Sequence, residues 1–300
     1  MMAVPNSDVA DPAFDRAIAS FRQDCALLAD ILGNARSQRI KMLTWFGENL
    51  LGVARSPQKQ DALIARNTDV RSDPHGFRRI YWRKAPDTRK GQVTPSVWHL
   101  PELPTTPWFE GDALARRLSG AWAGIREDFI RVQARMRPHP DTVEVVSQGA
   151  WPAIMVTGAG GRLDDSLQGR LPHLAPLLDE NDLCLNFGFI FFAGTVPGTK
   201  IEAHSGSSNM RLRHHLAVMC SDDLDAEMIV DGEARRWRQG HCLVFDDAYA
   251  HAVVHRTGAV RVILSVDTWH PNLEPEEIAI LSHPVFARFA KVGSAETKPE

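Results

Sequence analysis

Two histidines and an arginine define the chemistry to look for in this 300-residue chain. His204 follows a strand-like run, residues 199–203, and His251 precedes another. Neutral imidazole is a good ligand for divalent iron. A non-haem iron site usually adds a carboxylate two residues after its first histidine, and here that position is Gly206. Residues 211–216 read Arg-Leu-Arg-His-His-Leu. On a strand alternate side chains share a face, so Arg211, Arg213 and His215 point one way and Leu212, His214 and Leu216 the other. The second face suits packing against another layer. The first carries two guanidiniums and an imidazole into an interior, which is unfavourable unless an anion sits there. Between His251 and Arg261 lies Arg256-Thr257-Gly258-Ala259, read as a hairpin that sets both side chains on adjacent strands with the same inward sense. An arginine so placed can grip a carboxylate through two parallel bonds. A metal pair beside a carboxylate clamp suits a keto acid that chelates iron.

Short strands must carry these residues. After Pro138 and Pro140, brief apolar runs alternate with turn residues at Val143–Val146, Ala153–Thr157, Asn186–Phe192, Leu212–Met219, Cys242–Phe245 and Val260–Val266. That pattern predicts a β-sandwich or barrel. Upstream, Asp11-Pro12 is a helix start, and Phe14, Ile18, Phe21, Cys25, Leu28 and Leu32 share one face before Gly33-Asn34. A second helix is expected over 38–51 and a shorter third from Ser56-Pro57. Residues 73–107 read as an irregular connector whose basic residues between Arg78 and Lys90 are solvated. Leu114, Leu118, Trp122, Ile125, Phe129 and Val132 predict one long helix over 111–136, capped by Asp112. A last helix is expected over 274–290, with a loose tail after it. The domain reading is therefore 1–100 as helical region and connector, 101–285 as the barrel, and 286–300 as tail.

A net charge of −3 gives no bulk attraction to nucleic acid or an anionic membrane. No apolar run reaches the roughly 20 residues of a membrane helix, and Met1–Asn6 has no signal-peptide pattern. Cys25, Cys184, Cys220 and Cys242 form no CxxC pair, as expected of free thiols in a cytoplasmic protein.

The string His204-x-Gly206-x-x-Asn209-x-Arg211-Leu212-Arg213-x-His215-Leu216, then Trp237-x-x-Gly240, Phe245-Asp246-Asp247, His251, Arg261 and Asp267-x-Trp269-His270-Pro271, resembles the aspartyl/asparaginyl β-hydroxylase family of dioxygenases. The resemblance covers about residues 105–275. It implies a double-stranded β-helix, a cupin-like jelly roll with supporting helices. It implies His204 and His251 as iron ligands, Arg213 and His215 near the metal-binding end of 2-oxoglutarate, and Arg261 on its distal carboxylate. Where the family has a serine that helps hold the co-substrate, this chain has Ala193, with Thr195 as a substitute contact. The implied reaction uses Fe(II), 2-oxoglutarate and O2 to hydroxylate an unactivated C–H. The expected substrate is a free or carrier-bound amino acid, or a small peptide, with an Asp- or Asn-like β-carbon. The N-terminal helices are then available for partner recognition or for a homodimer. Gly206 also leaves room for a halide, as in a halogenase, and a non-catalytic cupin-like binding module is the rival outside enzymes. Asp246-Asp247 reads as a turn that orients its neighbours, or as the source of a missing metal ligand. His214, His241, His255 and His270 are assigned no ligand role, and Trp237 is assigned to the core.

Overall fold

The structure is a computed structural model that describes residues 12–31, 43 and, with short gaps, 103–283. Apart from Leu43, the expected second and third helices and the connector as far as residue 102 lie outside the described residues, as does everything after His283. The first helix, α1, runs Pro12–Ile31, with proline at its start as expected. It buries Phe21 and Cys25, and the Phe21 ring lies 5.2 Å from that of His283.

The rest is built on two antiparallel sheets. The larger holds β1 (Trp108–Phe109), β2 (Arg137–Pro138), β4 (Pro152–Met155), β5 (Ile190–Thr195), β7 (Arg211–Met219), β10 (Cys242–Phe245) and β12 (Arg261–Trp269), in the order β1-β10-β7-β12-β5-β4-β2. The smaller holds β3 (Val146–Gln148), β6 (Lys200–His204), β8 (Asp225–Val230), β9 (Glu233–Arg236) and β11 (His251–Thr257), in the order β3-β6-β11-β8-β9. The chain passes repeatedly from one sheet to the other, which makes the pair a double-stranded β-helix.

Period-two alternation explains which strands are buried twice. On the inner face of the larger sheet, Phe191, Ala193, Ala217 and Ile263 share a core with Ile201, Ala226, Met228, Val230 and Val253 of the smaller sheet. On its outer face, Phe192, Leu216, Val218, Val262, Leu264 and Val266 meet Leu118, Ile125, Phe129 and Val132 from two helices, α2 (Ala113–Gly120) and α3 (Trp122–Val132). Each such side chain contributes about 1.5–3 kcal/mol by leaving water. The outside of the smaller sheet is instead solvated. There Asp225 and Glu227 pair with Arg236 and Arg256, and β8 alternates between buried and half-buried positions.

Four details depart from the sequence reading. The single helix expected over 111–136 is two, because the chain bends at Gly120-Ala121, where Ala121 N–H turns back to the carbonyls of Arg117 and Ser119. Asp112 caps α2 as expected, accepting from Ala115 N–H at 2.8 Å. Residues 142–145 form one helical turn, α4 (Thr142–Val145), before β3 begins. β8 and β9 are a hairpin that the apolar runs did not reveal, although Asp231-Gly232, at φ 50° and 80°, is a strong turn signal for it. Most consequentially, His251 and Arg261 are not on paired strands. β11 pairs with β6 and β8, whereas β12 pairs with β5 and β7, so the segment through Gly258 (φ 102°) crosses between sheets. The last helix, α5 (Pro275–Leu281), opens with a capping box between Glu274 and Glu277. Among the described residues no helix is long and apolar enough to cross a membrane.

Candidate active site

His204 ends β6 and His251 begins β11, and the two are direct register partners. Their rings lie 4.2 Å apart between centroids. Nδ1 of His204 is 2.8 Å from the Glu202 carbonyl, and Nδ1 of His251 is 2.9 Å from the Tyr249 carbonyl. A carbonyl only accepts, so each Nδ1 carries the proton and each Nε2 carries the lone pair that a metal requires. Burial holds both rings neutral. His204 lies well below the usual histidine range through desolvation and the neighbouring His251, and desolvation takes His251 down to about 4. Among the described residues no third His, Cys, Asp or Glu side chain joins them as a ligand set.

Two aspartates fill the role that the interior arginines demanded. Arg211 Nε and Nη2 donate to the two oxygens of Asp247 at 3.2 and 2.7 Å. Arg213 Nε and Nη2 donate to those of Asp267 at 2.8 and 2.9 Å, and its Nη1 lies 3.2 Å from Asp247. Arg211 Nη1 also donates to the Phe187 carbonyl. Both carboxylates are fully buried, and Asp247 is held below the ordinary carboxylate range because Arg211 and Arg213 outweigh its desolvation. The anion expected beside Arg213 is thus supplied by the protein itself.

Gly206 belongs to this cluster. Its N–H donates to the Asp247 carbonyl at 2.6 Å, and a Cβ there would lie 2.5 Å from the Asp247 carboxyl carbon. Real Cβ atoms do not approach so closely, and Asp247 is pinned by two guanidiniums. The place where many iron sites carry a carboxylate is therefore pressed against a different one. Gly206→Asp should lose about 1–3 kcal/mol through overpacking and gain no iron affinity, because it sets a second negative charge against Asp247. A variant that melts with the parent and binds iron more tightly would show the opposite.

Arg261 has a different environment. It is 2% exposed, and its Nε and Nη1 are buried without a partner among the described residues. Its guanidinium carbon lies 4.0 Å over the Trp237 ring. Desolvation brings it down to about 9, and among the described residues no carboxylate pairs with it. Other buried polar atoms share this interior without partners: His215 Nδ1, Ser265 Oγ, Trp237 Nε1 and His255 Nε2. His215 is the register partner of Ser265 on β12, between the level of Arg213 with Asp267 and that of Ile263 and Arg261. Thr195, the register partner of Arg261, is buried with its hydroxyl 3.0 Å from His255 Nδ1. Ala193 faces inward opposite Ile263. A set of orphaned donors around one unpaired cation fits a ligand with carboxylate oxygens, and the histidine pair at the other end fits a metal.

The sequence brought His204, His251, Arg213, His215, Arg261 and Thr195 to one barrel interior, and the structure gathers all six there. It missed Asp267 and His255. Asp267 was visible only as part of a terminal motif, although as the inward residue opposite Arg213 on β12 it was the natural counter-ion. His270 contributes outside the cavity. Its Nδ1 accepts from Asn272 N–H at 3.2 Å and its Nε2 lies 3.2 Å from the Thr105 hydroxyl, which donates to Asp246 at 2.6 Å. Burial pushes the Asp246 carboxyl up to about 7 against these bonds. The folded state therefore keeps a proton that the unfolded chain releases near pH 4, and stability falls as pH rises from there through about 7. Asp246→Asn keeps one oxygen to accept from Ala248 N–H and turns its NH2 toward the Thr105 oxygen, without the charge. It should melt above the parent at pH 8 and lose most of that advantage by pH 5, as thermal scans at both pH values will show. An advantage independent of pH would refute the assignment.

A family model described as Aspartyl/Asparaginyl beta-hydroxylase matches residues 119–271, half of the chain. Aspartate beta-hydroxylase domain-containing protein 2 of Xenopus tropicalis is 31% identical over 196 residues, covering 61% of this chain and 52% of that protein. Aspartyl/asparaginyl beta-hydroxylase of Homo sapiens is 27% identical over 192 residues, covering 61% of this chain and 25% of that protein. The chain spans about half the length, or less, of the curated relatives it matches. Among solved structures, an oxidoreductase of the 2OG-Fe(II) oxygenase family from Burkholderia pseudomallei aligns with 59% of this chain and 96% of its own, at 17% identity and a TM-score of 0.33. The match runs from α2 through the histidine pair, the aspartate-held arginines and Arg261 to the Trp-His-Pro end of the barrel, and with it the chain belongs to the aspartyl/asparaginyl β-hydroxylase family.

Proposed function

We propose that this chain is an Fe(II)- and 2-oxoglutarate-dependent dioxygenase that hydroxylates an unactivated C–H. The favoured target is the β-carbon of an Asp- or Asn-like unit in a free or carrier-bound amino acid or a peptide. The observation that carries the reading is Arg261, a buried cation with unpartnered N–H groups in the same interior as a neutral histidine pair. His204 and His251 would hold the metal through Nε2, and Arg261 would take the distal carboxylate of the co-substrate, with Thr195 beside it and His215 toward the metal-binding end. Bound together, the metal and 2-oxoglutarate supply oxidative decarboxylation with O2, which gives succinate, CO2 and the oxidising power for hydroxylation. The chain's own residues keep both imidazoles in the metal-binding tautomer, neutralise Arg211 and Arg213, and exclude water from the clamp. The Asp247 carboxylate beside Gly206 disfavours a halide there and supports hydroxylation over halogenation. A cytoplasmic location, and a recognition or dimer role for the N-terminal helices, belong to the same proposal.

The test is anaerobic addition of Fe(II) and 2-oxoglutarate, which should produce the visible charge-transfer band of a chelated keto acid. Air should then yield succinate. His204→Ala and His251→Ala should lose band and turnover while remaining folded. Parental turnover in either variant, with iron shown to be bound, would sink the proposal. A mass-shift screen against amino acids and peptides would then identify the substrate.

A further inference from the structure

His204 ends β6 and His251 begins β11, so the histidine pair marks one end of the barrel. At the other end, the β5–β6 turn and the β11–β12 crossing come together. Gly198 N–H donates to the His255 carbonyl at 2.8 Å, and His255 N–H donates to the Thr199 carbonyl at 2.9 Å. His255 lies four residues beyond His251 on β11, roughly 13 Å further along the strand. There its ring leaves the smaller sheet and reaches the hydroxyl of Thr195 on the larger one, at 3.0 Å. Both side chains are buried, and Thr195 is the register partner of Arg261. The root of the proposed clamp and the bond between the sheets are therefore at the same level of the barrel.

We infer that the His255–Thr195 bridge is the floor of the co-substrate pocket and sets the length of keto dicarboxylate the chain accepts. The inference rests on the proposed 2-oxoglutarate site. Next to the floor, the inward residues of β5 and β12 are Ala193 and Ile263, which are apolar, followed toward the metal by Phe191 and Ser265. They can line the methylenes of the co-substrate but cannot stop a longer one. The imidazole and threonine can, because they close the gap between the sheets with a bond. His255 Nε2, buried without a partner among the described residues, adds a polar atom to this end beside Arg261. His255 is thus a specificity-determining residue for the co-substrate, with no part in holding iron.

The experiment compares 2-oxoglutarate with 2-oxoadipate, one methylene longer, by calorimetric titration into the anaerobic Fe(II)-loaded protein. One methylene against a fitted wall is worth about 10–200-fold, and the parent should prefer the shorter acid by that factor. His255→Ala opens the floor and should bring the two affinities to within about threefold. His255→Phe keeps a ring there without the bond and should retain most of the discrimination, which separates a wall from a loss of fold. An unchanged preference in His255→Ala, with 2-oxoglutarate still bound, overturns the floor and leaves the co-substrate site standing. A parent protein that binds neither acid overturns both.

Discussion

Arg261→Leu should raise the dissociation constant of 2-oxoglutarate by about thirty- to several-thousand-fold while leaving iron binding nearly unchanged. Truncating one partner of a buried charge-assisted pair costs about 2–5 kcal/mol, which converts to that range. The structure adds a second expectation. Without an anion, Arg261 is a desolvated cation with Nε and Nη1 unpartnered among the described residues, its guanidinium resting on the Trp237 face. Leucine removes that burden, so the ligand-free variant should melt no lower than the parent, and higher if leucine packs well on Trp237. Arg261→Lys keeps charge without the fork and should fall between in affinity. Calorimetry for affinity and a thermal scan of the ligand-free protein decide the matter. A leucine variant that binds as tightly as the parent would remove Arg261 from the site.

Asp247→Asn should destabilise the fold by about 3–5 kcal/mol, as expected when a buried ion pair loses one partner. The carboxylate accepts from Arg211 Nε and Nη2 and lies near Arg213 Nη1. An amide offers one acceptor where there were two, and turns its N–H groups toward a guanidinium. Arg211 would be left with Asp267 at 3.6 Å as its remaining carboxylate. The excess positive charge then faces the histidine pair, so iron affinity should fall as well. Denaturant unfolding of the metal-free protein measures the first effect without the second. A variant whose midpoint coincides with the parent's would show that Asp267 alone neutralises both arginines.

How much of this was legible beforehand depended on range. The alternation Arg211-Leu212-Arg213-His214-His215-Leu216 fixed the two faces of β7 because side-chain direction on a strand is a local property. His214 escaped that logic in part. It lies on the apolar outer face, fully buried, because Asp112, the cap of α2, reaches it at 2.8 Å from a distant part of the chain. Sheet membership was not legible. Ten residues around a glycine read equally well as a hairpin or as a passage between sheets, and only the pairing of β12 with β5 and β7 decides. The counter-ions were hidden for a related reason. An unpaired arginine in sequence points to a missing anion, and nothing local distinguishes a ligand carboxylate from Asp267, fifty-four residues away.

The passage through Gly258 places the metal pair on one wall of the barrel and the clamp on the other. A dicarboxylate held at both ends would then be a removable rung between two sheets that otherwise meet through side-chain packing and the His255–Thr195 bond. Its departure would require the walls to part slightly, and parting would expose β11 and β12 together. Amide exchange along those two strands should therefore slow in concert when the rung is in place, while β9, at the edge of the smaller sheet, exchanges at nearly its former rate.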